Sequence, residues 1–400
     1  RLPQAFGEFL DTAATATARA THYNTRTEQE AAIETVHREL FAVDRGIYTA
    51  ALLLPGLTDF SRQIGAVRLL RTVQADGLLS PEHEGAAVRG LLRLLPPQRM
   101  LKMFGMLRSE RINNARTRRL SLSTLLDADN LEFWAVKYRR KLATALVHAW
   151  GRRTASIVRA VLAKPADDRT DKERQSVQRH LHRFGHGDDR DRIEQCVRFI
   201  LGDEDGLTLR RLAAYRDANR DLGTGRVLPF ETLEGLRSRF HRDKTSAEVL
   251  ELTKAQLTAG QKIGLQRKAA ESDVAVEFDP AKYDAVRLYV YAYEMGLSEA
   301  IRDELVRKAQ ATAGLLPVRV EHAGILLDVS ASMVGHETQA RRPISVALAL
   351  RDLLAETAEK ATIVSSDGRA APAAQLIEPA GDTSLAAGLV ALLKREPDVV

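Results

Sequence analysis

The sequence predicts a mainly α-helical chain with a C-terminal α/β domain, and three observations lead there. Apolar residues recur at spacings of three and four through most of residues 1–317, as in helices with one buried face. Near residue 323 that period stops, and the uninterrupted apolar run Ala323 to Leu327 has the length and bulk of a buried parallel strand. Four hundred residues with 44% hydrophobic content are enough for two or three cores.

Taken in order, helical patterns cover 29–40, 44–54, 57–75, 82–95, 98–107, 109–126, 131–149 and 152–163. Breaks fall at Pro55-Gly56, Asp76-Gly77, Pro96-Pro97, Asp127-Ala128-Asp129 and Pro165. Connections this short make neighbouring helices antiparallel, and a succession of such pairs is similar to a HEAT-type solenoid, although no strict sequence repeat is visible. A more polar section follows from Pro165 to Asp191, and helical patterns resume over 208–219, 229–240, 246–257, 281–295 and 298–313. The expected division is a helical module over 1–318 and an α/β domain over 319–400.

One cysteine, Cys196, excludes an internal disulfide and fits a reducing, cytoplasmic compartment. No apolar run approaches the roughly 20 residues of a membrane span, so no membrane partner is expected. The chain starts at Arg1 without a methionine and stops in what reads as mid-strand, as a piece of a longer protein would.

The net charge of +6 is concentrated in one place. Residues 98–153 hold thirteen Lys and Arg against four Asp and Glu, an excess of nine, which leaves the remaining chain slightly acidic. A basic stripe on such a body is what a phosphate backbone recognises. On a helix from about Ser109, Arg111, Asn114 and Arg118 are expected on one face, with Arg108 one turn earlier. On the next helix Lys137, Arg140, Lys141, Thr144 and His148 form a second polar stripe, and Asn113 and Asn114 add amides able to touch ribose or base edges. The candidate RNA-binding set is Arg108, Arg111, Asn113, Asn114, Arg116, Arg118, Arg119, Lys137, Arg139, Arg140, Lys141, His148, Arg152 and Arg153. The alternative is a solvated face whose carbon stems lie over the core. Trp134, Tyr138 and Trp150 are expected in that core.

His180, His182 and His186, with Cys196, lack the usual zinc spacing and read as a solvated helix face and loop. Asp203-Glu204-Asp205-Gly206 opens like a calcium loop, but the distant bidentate acid is missing, so it reads as an acidic turn. No nucleophile–base pair, phosphate-cradling loop or catalytic carboxylate pair stands above background, and no enzyme activity is expected.

Chemistry of a different kind starts where the strand at 323–327 ends. Asp328, Ser330 and Ser332 follow it as Asp-x-Ser-x-Ser, offering one carboxylate and two hydroxyls to a common point. Hard oxygen ligands suit Mg²⁺ or a similar divalent cation, and mostly neutral ones leave it electrophilic, with open positions for an acidic partner. The alternative is a strand-to-helix turn that caps a helix. The motif resembles the metal-ion-dependent adhesion site of von Willebrand factor A domains, in which a Thr from a later loop and an Asp from a still later strand end complete the site. Thr383 is the counterpart of that Thr; the late Asp has none here, and Asp398-Val399-Val400 reads as the start of the strand leading to it.

Arg111-Ile-Asn-Asn-Ala-Arg-Thr-Arg-Arg-Leu120, then Phe133-Trp-Ala-Val-Lys-Tyr-Arg-Arg-Lys141 and His148-Ala-Trp-Gly-Arg-Arg153, resembles the TROVE module of Ro autoantigen proteins and their bacterial relatives. Tyr23-Asn24-Thr25-Arg26-Thr27 is similar to a segment near the start of that module, and a helical module followed by an A domain is the Ro order. The resemblance implies a ring of HEAT-like repeats closed by the A domain, with a basic central hole. It implies noncoding RNA as partner: single-stranded 3′ ends of misfolded RNA in the hole, structured Y-type RNA on the outer surface, and, among bacterial members, hand-over to an exoribonuclease. DNA is not an expected partner. A second reading makes the chain a metal-dependent, adhesion-type protein-interaction module with a helical scaffold.

Overall fold

The structure, a computed structural model, describes residues 1–16, 25–72, 80–126, 129–184, 189–335, 340–382 and 384–400. Tyr23-Asn24, Asp76-Gly77, Asp127-Ala128, His186 and Thr383 lie outside the described residues. The fold is mainly helical with a small parallel sheet, and the chain divides into two compact units, one ending at Gln256 and one running from Leu257 to Val400. No helix among the described residues is long and apolar enough to cross a membrane.

The first unit holds α1 (Leu2–Thr15), α2 (Arg26–Val43), α3 (Arg45–Ala51), α4 (Asp59–Arg71), α5 (Pro81–Leu94), α6 (Pro97–Ser109) and α7 (Ala115–Leu126). It continues with α8 (Leu131–Trp150), α9 (Arg152–Leu162), α10 (Asp171–His180), α11 (Asp189–Ile200), α12 (Arg210–Asp217), α13 (Phe230–Phe240) and α14 (Ser246–Thr253). Side-chain caps set where these helices begin. Thr25, Asp44, Thr58 and Ser80 each accept the backbone N–H three residues on, and Thr25, Thr170 and Thr245 form full capping boxes with Glu28, Glu173 and Glu248.

The helix expected over 109–126 starts only at Ala115, and the preceding one, expected over 98–107, runs on to Ser109. Arg111 takes a left-handed φ of 56°, and the Ile112 N–H reaches back to the Leu107 carbonyl at 2.8 Å. Asn114 then starts α7 by accepting the Thr117 N–H on Oδ1 at 2.9 Å. Apolar spacing runs on through 109–114, so periodicity began the second helix six residues early. Arg111, Asn114 and Arg118 therefore do not share a helix face.

Packing in this unit alternates: α2, α4, α6 and α8 contact one another in succession, and so do α3, α5 and α7. α8 is the hub, touching α6, α7, α9, α11, α12 and α13. It is kinked at Tyr138 (φ −126°, ψ 23°), and Gly151, at φ 82°, separates it from α9.

The second unit holds α15 (Ala259–Gly264), α16 (Gln266–Glu271), α17 (Ala285–Met295), α18 (Glu299–Ala313), β1 (Val320–Leu327), α19 (Arg342–Ala355), β2 (Ala358–Ser365) and α20 (Leu385–Leu393). β1 and β2 are parallel, in register from Val320↔Ala358 to Leu327↔Ser365. On its other side β1 forms a parallel bridge, Ala323↔Val399. Successive strand residues face opposite ways. Leu327 enters a core with Tyr289, Leu305, Ile344 and Leu348, whereas Leu326 and Gly324 face α20. A Cβ on Gly388 would lie 2.6 Å from the Ser365 carbonyl, and one on Gly324 2.8 Å from Pro397, so both glycines are needed for that approach. Helices thus cover both faces.

The packing boundary at 256/257 precedes the 318/319 division expected above. The apolar stripes of α17 and α18 (Leu288, Tyr289, Ile301, Leu305) cover the sheet together with α19. An amphipathic period reports that a helix has a core to cover, not which core.

Candidate nucleic-acid interface and metal centre

The fold sorts the fourteen candidate RNA-binding residues into three groups. Three cations are used internally. Arg116 joins Arg45 in pairing with Glu84, whose side chain is 2% exposed. Burial pushes the Glu84 carboxyl up, but hydrogen bonds from Arg45 and Arg116 outweigh it and hold it below the usual carboxylate range. Lys137 lies 3.4 Å from Glu231 on α13 and over the rings of Phe133 and Tyr138. Arg139 pairs with Glu204, donates to the Phe199 carbonyl at 2.7 Å and stacks 4.0 Å from the Phe199 ring centroid. The Tyr138 kink falls between Lys137 and the rest of the expected α8 stripe.

Three polar residues brace the backbone. Asn113 donates to the His148 carbonyl and Asn114 to the Leu70 carbonyl, both at 2.8 Å. His148 Nε2 lies 2.9 Å from the Ile112 carbonyl, which can only accept, so Nε2 carries the proton. Each asparagine amide thus spends one N–H on a backbone carbonyl and keeps the other.

The remaining eight, Arg108, Arg111, Arg118, Arg119, Arg140, Lys141, Arg152 and Arg153, are exposed and form no ion pair with any carboxylate among the described residues. A groove of about 430 Å³ runs where the end of α6 meets the α8–α9 junction, with Arg108 and Arg152 on its walls and Asn113, Thr144 and His148 between them. Arg140, Thr144 and His148 follow at intervals of four along α8, so Arg140 stands on the face that leads into the groove. Fixed polar groups between two unpaired guanidinium groups, open to solvent, can hold a phosphodiester.

The long-range partners were the missed functional information. Glu84 carried one local signal: it shares the buried face of α5 with Val88 and Leu91, where an acid must find a cation. Of the aromatics expected in the core, Trp150 is buried, but Trp134 is half-buried and lines a second cavity. Burial raises the Cys196 thiol to about 12. His182 is taken up by Glu194 at 2.7 Å, and among the described residues no three His, Cys, Asp or Glu gather as a metal would require.

In the second unit, Asp328 follows β1 directly. Its Oδ1 accepts the Ser330 N–H at 2.9 Å, and the Ser330 and Ser332 hydroxyl oxygens are 2.9 Å apart. That spacing suits adjacent oxygen ligands of Mg²⁺, since an octahedron with bonds near ~2.1 Å has edges of roughly 3 Å. The Ala331 N–H bonds the Gly381 carbonyl at 3.0 Å and the Ala380 N–H the Val329 carbonyl at 2.8 Å, tying the 380–381 loop to the turn. The turn also sits where ligands bind in open α/β sheets. From β1 the chain crosses by α19 to β2 on one side and by α20 to Val399 on the other, so strand order reverses at the carboxyl end of β1. Compared with protein families, curated proteins and solved structures, the chain matches none.

Proposed function

We propose that the chain is an RNA-binding protein of the Ro type, without catalytic activity, that captures noncoding RNA electrostatically in the cytoplasm. In this proposal Y-type RNA and single-stranded 3′ ends of misfolded RNA are the ligands, an exoribonuclease is the receiving partner, and a HEAT-like repeat ring with an A domain is the framework. One observation carries it: of the eleven Lys and Arg in the candidate set, eight stay exposed and unpaired, and two of them flank a groove floored by braced polar groups. Arginines that served only to solvate a face would need neither the groove nor the bracing.

The test is a salt titration of binding to a hairpin RNA with a single-stranded 3′ tail. Affinity is expected to fall steeply with salt and to drop at least tenfold when Arg111, Arg118 and Arg140 are changed together to Ala. Unchanged affinity in that variant overturns the proposal.

A second reading rests on the Asp328 turn. There Asp328, Ser330 and Ser332, with Thr383 from the following loop, would hold Mg²⁺, and the ion would offer an electrophilic position to an acidic side chain of a protein partner. Loss of partner capture on Mg²⁺ removal and in Asp328→Ala, with the arginine variants silent, would favour it.

A further inference from the structure

A second cavity in the first unit, about 690 Å³, opens between α5, α6, α7 and the start of α8, at the opposite end of α8 from the groove. Its lining groups apolar, polar and cationic side chains and carries one carboxylate, Asp129, beside Asn130 at the start of α8, where a ribose hydroxyl can donate to it. Leu92, Leu95 and Met100 give an apolar floor, and Trp134 gives an aromatic wall. Ser123 and Thr124 stand on one edge; their hydroxyls donate to the Leu120 carbonyl at 3.0 and 2.8 Å, which leaves their oxygens free to accept. Asn130 holds the position before α8 but makes no capping bond, so its amide is available to a ligand.

On the α5 side the cavity is bounded by Arg89 and Arg93. They are one helical turn apart, roughly 6 Å between Cβ atoms, and both are exposed. Neither pairs with a carboxylate among the described residues. Two guanidinium groups one turn apart match a phosphate, which accepts from both. An indole over an apolar floor matches a planar heterocycle, and an amide beside two hydroxyls matches the donors and acceptors on its edge.

We propose that this cavity is a nucleotide site: it takes a nucleoside 5′-monophosphate unit with its base against Trp134 and its phosphate on Arg89 and Arg93. The volume falls in the usual range for small-ligand sites of ~300–1,000 Å³. The unit is either a free mononucleotide or one nucleotide of an RNA strand, since both present a base, a ribose and an anionic phosphate, as a monoester in the first and a diester in the second. The site is separate from the Arg108–Arg152 groove and does not depend on the function assigned to it.

The experiment is equilibrium dialysis of the full chain against AMP and, separately, against a single-stranded decanucleotide, with tryptophan fluorescence as a second readout. The chain has two tryptophans and Trp150 is 7% exposed, so quenching by AMP reports on Trp134. AMP is expected to bind saturably and to quench. Arg89→Ala with Arg93→Ala, and separately Trp134→Ala, should each weaken it at least tenfold, while adenosine binds at least tenfold more weakly than AMP. Arg108→Ala with Arg152→Ala should leave AMP binding unchanged. If the natural occupant belongs to a strand, the same losses appear with the decanucleotide. If neither ligand responds to the arginine pair, whose exposed positions leave the fold intact, the site is overturned.

Discussion

The Asp328 turn and the arginine ridge differ in the range of the interactions that settle them. At the turn, the bonds Ser330 N–H to Asp328 and Ser330 to Ser332 each span two residues. On the ridge, the bonds deciding which cations stay free span 32 residues for Arg116 to Glu84 and 65 for Arg139 to Glu204, and the brace from Asn113 to the His148 carbonyl spans 35. A site whose ligand oxygens are placed by local bonds calls on distant residues only for anchoring, here the 380–381 loop and Ser366. A charged surface made by long-range pairing is whatever the core leaves over, so its strength depends on residues far from any ligand.

The sharpest way to break this comparison is at the long-range end. Glu84→Ala leaves Arg45 and Arg116 part-buried without their acid, and removing one partner of a buried pair typically costs about 3–5 kcal/mol. Urea unfolding should show that loss. A change below about 1 kcal/mol would mean that Arg116 is free after all and belongs with the surface cations.

A buried pair eleven residues apart, between the two ends of that range, gives a pH signature. His37 is fully buried, its Nδ1 2.7 Å from the Tyr48 hydroxyl, and burial, aided by the nearby Arg68 charge, lowers it to about 3. Below about 6.5 the unfolded chain takes up a proton that the folded one refuses. The contribution is therefore complete above that pH and lost as pH falls towards 3. By pH 5 the loss is about 2 kcal/mol, at ~1.36 kcal/mol per unit. Stability measured from pH 7 to 5 should fall this much in the parent chain and less in His37→Gln. Identical profiles would refute the assignment.

At the surface the effect moves from stability to binding. Arg108→Ala with Arg152→Ala should leave urea unfolding within about 0.5 kcal/mol of the parent. RNA binding should weaken about tenfold, and the slope of log affinity against log salt should flatten by roughly 1.4 if each arginine neutralises one phosphate of a single strand. A loss of affinity with an unchanged slope would assign the two side chains to something other than phosphate contact.

The same contrast of range explains what could be read in the chain. The strand before Asp328 was evident because a short apolar run ending in an acid is a local pattern. β2 and α19 were not anticipated: Glu359 and Lys360 break the apolar run at the start of β2, and exposed Val346, Leu350 and Leu354 blur the buried stripe of α19. The excess charge of 98–153 was visible, but not its division into used and unused cations, because Glu84, Glu204 and Glu231 lie outside that window. The α6–α7 break was drawn too early and too short for a local reason, since Asn114 can sit in a helix pattern or start one and only the backbone turn at Arg111 decides.

The smallest effect tests the local end. Asp328→Ala removes one accepted hydrogen bond from the Ser330 N–H, typically about 1 kcal/mol, and should change RNA affinity less than twofold, because the ridge is held by none of the turn's bonds. The informative measurement is metal linkage. Mg²⁺ at ten times its dissociation constant stabilises a folded chain by about 1.4 kcal/mol, and this increment should appear in the parent and vanish in Asp328→Ala. An equal increment in both would locate the metal elsewhere. A tenfold loss of RNA affinity in Asp328→Ala would show that the turn is not self-contained, and the separation of the two regions by the range of their bonds would then be wrong.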